Sequence, residues 1–505
     1  MMKHARVMAC LTFVSRLLGL VREQALTYCF GTGEVLSAFR IAFMIPNLAR
    51  RLFGEGALSA AMVPVLTKTI HKDGPLSGRR LVGAILWRVG LFLGGLTLVA
   101  ELVLAVWRHF SVDFSLTLSA VLLPYMVVIC LVAILGAVLN VNRRFAAPAA
   151  MPLVLNGGII LAVVLGAWLL GLNRRNLMFL ICGAILLAGL VQLHLIRRSL
   201  VSISFGPMLG RAPRDAVRKV WRLMAPMALG VSAVQLNTLA DYLIANAFIV
   251  RDGERVGAAV LGTASFLYQL PLGVFGIAIA TAIFPALAEH AAHNRQRAFG
   301  DVLGQGLRLA LLLSLPASVG LMFVARPLVA ALYERGEFDA VCTRHVSATL
   351  FFYSIGLAAY FVNHVIVRAF YSLTDSASPA RIASGMVLLN LSLNLALVGP
   401  LQERGLALAS AISAAIQTVI LGVVIQRRHT LRIAQTTGSG VWRMVACTGL
   451  MAAALYAATT ALDTVAIEHA LVRLGILVTI GVAVYAGACK FLVVEEWNLI
   501  LSRWR

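Results

Sequence analysis

Charge is what this sequence has least of. Only 13% of its 505 residues are Asp, Glu, Lys or Arg, against roughly 25% in an average soluble protein. Acids are scarcer still, with 21 Asp and Glu against 43 Lys and Arg. Too few charges remain to cover the exterior of a soluble chain, and a 60% apolar content exceeds what one core of this size needs. The composition therefore argues against a soluble globular enzyme, a disordered chain and a secreted disulfide scaffold. The seven cysteines form no CxxC pair and lie mostly in apolar stretches, so they read as free structural thiols. No nucleotide-binding P-loop, HExxH, Gly-x-Ser-x-Gly or metal-spaced His/Cys set occurs. That disfavours an ATP-driven pump, and no cofactor is expected.

What the sequence does have is a succession of apolar runs of about 20 residues bounded by charge, Pro or Gly, the length that crosses a bilayer as a helix. The runs fall near 7–30, 35–65, 82–107, 116–139, 150–171, 176–197, 220–249, 256–289, 304–332, 346–370, 381–400, 404–425, 441–462 and 470–494. The expected fold is an all-α polytopic membrane protein of about 14 transmembrane helices. The first run follows Lys3, His4 and Arg6, but Arg16, Arg22 and Glu23 interrupt it, so it reads as a retained helix and not a signal peptide.

Basic residues are unevenly placed. Connections after even-numbered runs hold about nineteen, among them Lys68, Arg79, Arg143, Arg144 and the cluster from Arg197 to Arg222. Connections after odd-numbered runs hold about eight, balanced by about ten acids such as Asp252, Glu254, Glu334 and Asp339. By the positive-inside rule both termini lie in the cytoplasm. Most of the +22 net charge is then a topology signal, and no nucleic-acid partner is needed.

The sequence also repeats. Ala57–Leu66 (ALSAAMVPVL) aligns with Ala278–Leu287 (AIATAIFPAL), Pro46 with Pro271, and the loop ending at Pro148 with the stretch ending at Pro379. These offsets imply two pseudo-symmetric six-helix bundles, 1–213 and 214–430, with two extra C-terminal helices in 431–505. Transporters built from such repeats place substrate between the halves near midplane.

Ionisable groups inside apolar spans cost about 2.5–3.5 kcal/mol each and normally face a cavity. The first two runs hold Arg16, Arg22, Glu23, Arg40, Arg50, Arg51 and Glu55. Guanidiniums converging on a cavity suit a phosphate or diphosphate, whose oxygens their planar forks bind in pairs. The bland alternative is that these arginines reach the interface or pair with Glu23 and Glu55. Arg50, Arg51 and Glu55 lie in RRLFGEGA, which reads as a broken helix after Pro46 and carries an insertion relative to the second half. Asp241 with Asn390 and Asn394, the latter two at i,i+4, form a second candidate, either a small-cation site or interhelical hydrogen bonds.

Several stretches resemble the MurJ/MviN family of lipid II flippases: SRLLGLVRE (15–23), AFMIPNLARRLFGEGALSAAMVPVL (42–66), APMALGVSAVQLN (225–237), PLVAALYERGEFD (327–339) and RAFYSLTDSASPARI (368–382). The match runs in order over nearly the whole chain. The resemblance implies the fold of the multidrug/oligosaccharidyl-lipid/polysaccharide exporter superfamily, in which the two extra helices form a lipid groove. It implies movement of an undecaprenyl-diphosphate-linked disaccharide-pentapeptide from inner to outer leaflet for peptidoglycan synthesis, and it places cell-wall synthesis enzymes among the candidate partners. Carried over by motif, Arg16, Arg22 and Arg50 would hold the diphosphate, with Glu55 the matching acid. A sodium site of some members would fall at Asp241, Asn390, Asn394 and Ser410, with Asn394 in place of a carboxylate. Membrane potential is the other candidate driver.

Two departures stand out. Ser37 occupies a position usually held by Asp, and Phe266 one usually held by Arg. Arg40, one turn from Ser37, is expected to supply the missing positive charge, or else an Asp–Arg pair has been lost together at small cost. The rival readings are an exporter of another polyprenyl-linked glycan and a cation-coupled drug antiporter. The second should lean on cavity acids, and this sequence offers arginines.

Overall fold

A computed structural model describes residues 2–492 apart from 112, 209, 430–432, 466 and 468. Its sixteen helices account for almost all of the described chain. They are α1 (Met2–Phe30), α2 (Glu34–Ala49), α3 (Ala57–Phe110), α4 (Phe114–Val141), α5 (Ala146–Val163), α6 (Arg174–Val201), α7 (Arg214–Phe248) and α8 (Gly257–Pro271). There follow α9 (Ile277–Ala292), α10 (Gln296–Tyr333), α11 (Ala340–Ile355), α12 (Leu357–Ser372), α13 (Ala377–Leu401), α14 (Glu403–His429), α15 (Ile433–Thr464) and α16 (Ala470–Phe491). A two-stranded hairpin, β1 (Val250–Arg251) and β2 (Glu254–Arg255), lies between α7 and α8.

Among the described residues ten spans are long and apolar enough to cross a membrane, one of them formed by α8 and α9 together, and an eleventh arises if α11 and α12, bent by 44° at Gly356, count as one. This is fewer than the expected fourteen. The expected spans at 7–30, 35–65 and 220–249 are helical, but each includes side chains outside the described residues and α2 is only 16 residues long, so they are not among this set. Large apolar side chains such as Leu98, Leu102, Trp107, Trp168 and Val482 are more than half exposed, as acyl chains as solvent would require.

Local chemistry explains where helices begin and end. Asp113, Asn173 and Asp339 cap α4, α6 and α11 by accepting from the backbone N–H of Ser115, Asn176 and Cys342 at 2.8–2.9 Å. The long α3 is broken at Gly74, whose φ of +82° no ordinary helix residue adopts, just before Pro75. The interruption expected after Pro46 is a π-helical segment, Arg50–Gly56, and a second one, Leu272–Gly276, follows Pro271. The broken stretches thus sit at matching points of the sequence repeat. So do two loops: α4 and α12 each end before a left-handed residue, Arg143 and Thr374, both at φ +58°, with the next helix starting at Ala146 and Ala377.

The chain divides into two compact units. The first comprises Met1–Leu239 with Glu254–Ala258, the second Ala240–Gly253 with Ala259–Arg505. In the first, α4 lies against α2, α3 and α6, and α5 against α1 and α6. Arg79 ties the segment after α6 to α3, donating from Nε to the Gly206 carbonyl at 2.8 Å and accepting from Met208 N–H at 3.2 Å. In the second unit α10 is the central helix, contacting α9, α11, α12, α15 and α16. The two last helices pack on it through Leu312, Met444, Met451, Leu455 and Leu477, and Tyr485 donates to the Leu312 carbonyl at 2.7 Å. All seven cysteines are free.

Candidate functional site

The first unit gathers part of the arginine set around one acid. Glu23, on α1, is fully buried, and its carboxylate forms an ion pair with Arg40 of α2. Arg22, its chain neighbour, reaches the other carboxylate oxygen at 3.7 Å and donates from Nη1 to Asn156 Oδ1 of α5 at 3.0 Å. Asn156 is anchored in turn by donating to the Ser15 carbonyl at 3.3 Å. Two guanidiniums and one carboxylate leave one net positive charge in a largely dehydrated place. Both arginines keep some exposure, 19% and 14%, so the cluster touches open space on one side.

The other arginines are arranged separately. Arg50, at the start of the π-helical segment, donates twice to Asn47 Oδ1, at 2.8 and 3.1 Å. Arg51 donates to Gln235 Oε1 of α7 at 3.2 Å. Arg16 is half-buried on α1, six residues before Arg22 and so about 120° away around the helix. Glu55 lies on the π-helical segment, and its side chain is outside the described residues. Ser37 is fully buried one turn from Arg40. Arg40 is thus not a free replacement for a lost charge, because Glu23 holds it.

In the second unit the other candidate residues meet. Asn394 Nδ2 donates to Asp241 Oδ1 at 2.5 Å and to Asn390 Oδ1 at 2.8 Å, while Ser410 Oγ donates to Asp241 Oδ2 at 3.4 Å. Asp241, Asn390 and Asn394 are all buried, and Tyr353 and Tyr360, bridged by the ring of Tyr268, flank the aspartate. Asn394 turns its N–H to both neighbours, while its Oδ1 and Asn390 Nδ2 are buried without a hydrogen-bond partner. Among the described residues no group of three or more His, Cys, Asp and Glu could hold a metal.

Comparison with known proteins is informative once this geometry is in view. The family described as "Lipid II flippase MurJ" matches residues 26–475. The chain belongs to the MurJ family. A probable lipid II flippase MurJ of Rhizobium meliloti (strain 1021) is 32% identical over 465 residues, 88% of this chain and 84% of that one. The probable lipid II flippase MurJ of Vibrio cholerae serotype O1 is 31% identical over 512 residues, covering 96% and 95%. Among solved structures, a lipid II flippase MurJ in an inward closed conformation superposes with a TM-score of 0.79 at 22% identity, over 98% of this chain and 99% of that one. An inward-facing multidrug resistance MATE family transporter of the MOP superfamily gives 0.67 at 14% identity, over 86% and 99%. These matches establish the MurJ/MATE-type fold of this multi-pass chain.

Reasoning from sequence located Arg22 and Arg40 and named Glu23 as their partner in the bland reading, but overlooked Asn156. The available signal was polarity out of place: Asn156 is the one strongly polar side chain in the apolar stretch 145–172. Asn47 and Gln235, the partners of Arg50 and Arg51, carried no such signal.

Proposed function

We propose that this MurJ-family chain is a lipid flippase and not an enzyme, moving lipid II from the inner to the outer leaflet by alternating access. The observation that carries the reading is the buried Arg22–Glu23–Arg40–Asn156 cluster in the first unit. A diphosphate leaving water needs a cationic host, since an uncompensated charge in a low dielectric is very costly. The cluster carries one net positive charge and holds its guanidiniums in fixed positions. Arg16, Arg50, Arg51 and Glu55 complete the substrate-binding set, while the polyprenyl tail stays in lipid.

Counting α1, α2 with its π-helical continuation, and α7 as spans brings the total to fourteen. The basic connections then put both termini on the cytoplasmic side of the inner membrane. The matching π-helical breaks and loops support two related halves. Because Asn394 takes the place of a carboxylate, the driving force we assign is the membrane potential, about 2.3 kcal/mol per charge per 100 mV, and not sodium. Enzymes that make and consume lipid II are the expected partners.

The test is lipid II accessibility at the outer leaflet of cells depleted of their own flippase. Rescue by wild type, with loss on Arg22→Ala and Arg16→Ala, is the expected result. A well-expressed wild type that leaves lipid II inside would overturn the cargo assignment while leaving the fold intact.

A further inference from the structure

A further pair of arginines lies in the second unit, on α10 and α14. Arg326 on α10 and Arg404 on α14, both exposed, border an open depression of about 280 Å³ lined by Phe323, Phe351, Phe352 and Ser347. Arg326 is the only charged residue between Arg308 and Glu334, in the middle of an apolar run. It lies seven residues inside the end of α10, so about 10 Å from that end. Among the described residues neither guanidinium has an ion-pair or hydrogen-bond partner.

The placement of Arg404 sharpens the question. It occupies the first turn of α14, where the helix dipole disfavours a cation and favours an anion. The neighbouring acid does not neutralise it. Glu403 is buried and already engaged by Arg251 at 2.6 Å and by His345 Nδ1 at 2.9 Å. Both arginines are exposed, and they border one open depression beside the start of α14. Its rim is apolar and immersed: Phe351 and Ile355 on α11 are 41% and 44% exposed, as residues against acyl chains are.

We propose that Arg326 and Arg404 hold the phosphodiester of an anionic glycerophospholipid, phosphatidylglycerol in class, recruited from the surrounding leaflet. The depression is open, which suits a headgroup whose acyl chains stay in the bilayer. The paired forks match phosphate oxygens, and the phenylalanines match glycerol and the first methylenes. The two arginines stand at the ends of α10 and α14 next to the connections 334–339 and 402, which the proposed orientation places outside. The lipid is therefore one of the outer leaflet. The site is independent of the cargo assigned above, so either assignment can fail alone.

The experiment is native mass spectrometry of the full chain in non-ionic detergent, with phosphatidylglycerol, phosphatidylcholine or undecaprenyl phosphate added. Wild type should retain one additional phosphatidylglycerol, with retention at least about tenfold weaker in Arg326→Gln/Arg404→Gln. Should that variant fail to fold, Arg326→Lys/Arg404→Lys keeps the charge, loses the planar forks and is expected to bind more weakly than wild type. Equal retention by wild type and the double Gln variant, or by wild type and the double Lys variant, overturns the site. Phosphatidylcholine bound as well as phosphatidylglycerol overturns the requirement for an anionic lipid. Displacement of phosphatidylglycerol by an equal amount of undecaprenyl phosphate overturns the phospholipid as occupant.

Discussion

At the scale of single residues, Glu23 is the side chain on which the first unit's charge depends. Its carboxylate is the partner of Arg40 and lies near Arg22, and it is fully buried. Glu23→Gln leaves two guanidiniums facing each other in a dehydrated setting, and removing one partner of a buried pair costs about 3–5 kcal/mol. The expected result is a lower thermal midpoint in detergent, partly restored when Arg40→Gln is added. No recovery in the double variant would mean that the pair is not coupled. Asn394 offers the complementary test. Asn394→Asp replaces a donor beside Asp241 by a second carboxylate, whose like charge then calls for a cation. The variant's melting should rise on exchanging choline chloride for sodium chloride, and that of wild type should not. Much of this chemistry was legible in advance, because a charge in an apolar run announces itself. The partners were not: which amide lies opposite an arginine depends on how α1, α2 and α5 pack, and spacing along the chain does not encode that.

Helices and their ends are the next scale, and here short-range chemistry is read easily. Asp339 stands before α11 and accepts from Cys342 N–H at 2.8 Å, and that bond holds its carboxyl below the ordinary carboxylate range. Asp339→Ala should cost about 1 kcal/mol, the usual worth of such a cap. Because the folded-state value is depressed, the contribution is fully present above the ordinary carboxylate value. It fades as pH falls through the depressed one. A pH series of thermal melts should therefore show wild type and Asp339→Ala converging in acid and diverging near neutrality; a constant gap would show that the carboxylate is not the cap. The breaks within spans were harder to foresee. RRLFGEGA looked interrupted from its charges, yet a π-helical turn is a property of the backbone hydrogen-bond ladder. Its counterpart, Leu272–Gly276, contains no charge that could have flagged it.

For the molecule as a whole, composition settled the class at once, because an apolar surface this large has no soluble solution. Three of the expected spans, which carry most of the functional arginines, include residues outside the described set, so length and composition there count eleven at most. Topology can be measured directly. Alkaline phosphatase fused after Gly253, in the hairpin between α7 and α8, should be active outside the cell. A fusion after Arg144 should be silent, and the reverse pattern would invert the proposed orientation. The two loops at Arg143 and Thr374 bear on a different matter, that of descent. A left-handed backbone costs an L-residue about 1–2 kcal/mol, and neither Arg nor Thr is suited to it, yet both adopt it at equivalent places before helices that begin in register. Shape has outlasted residue identity there, as expected of a duplicated gene whose copies drifted apart.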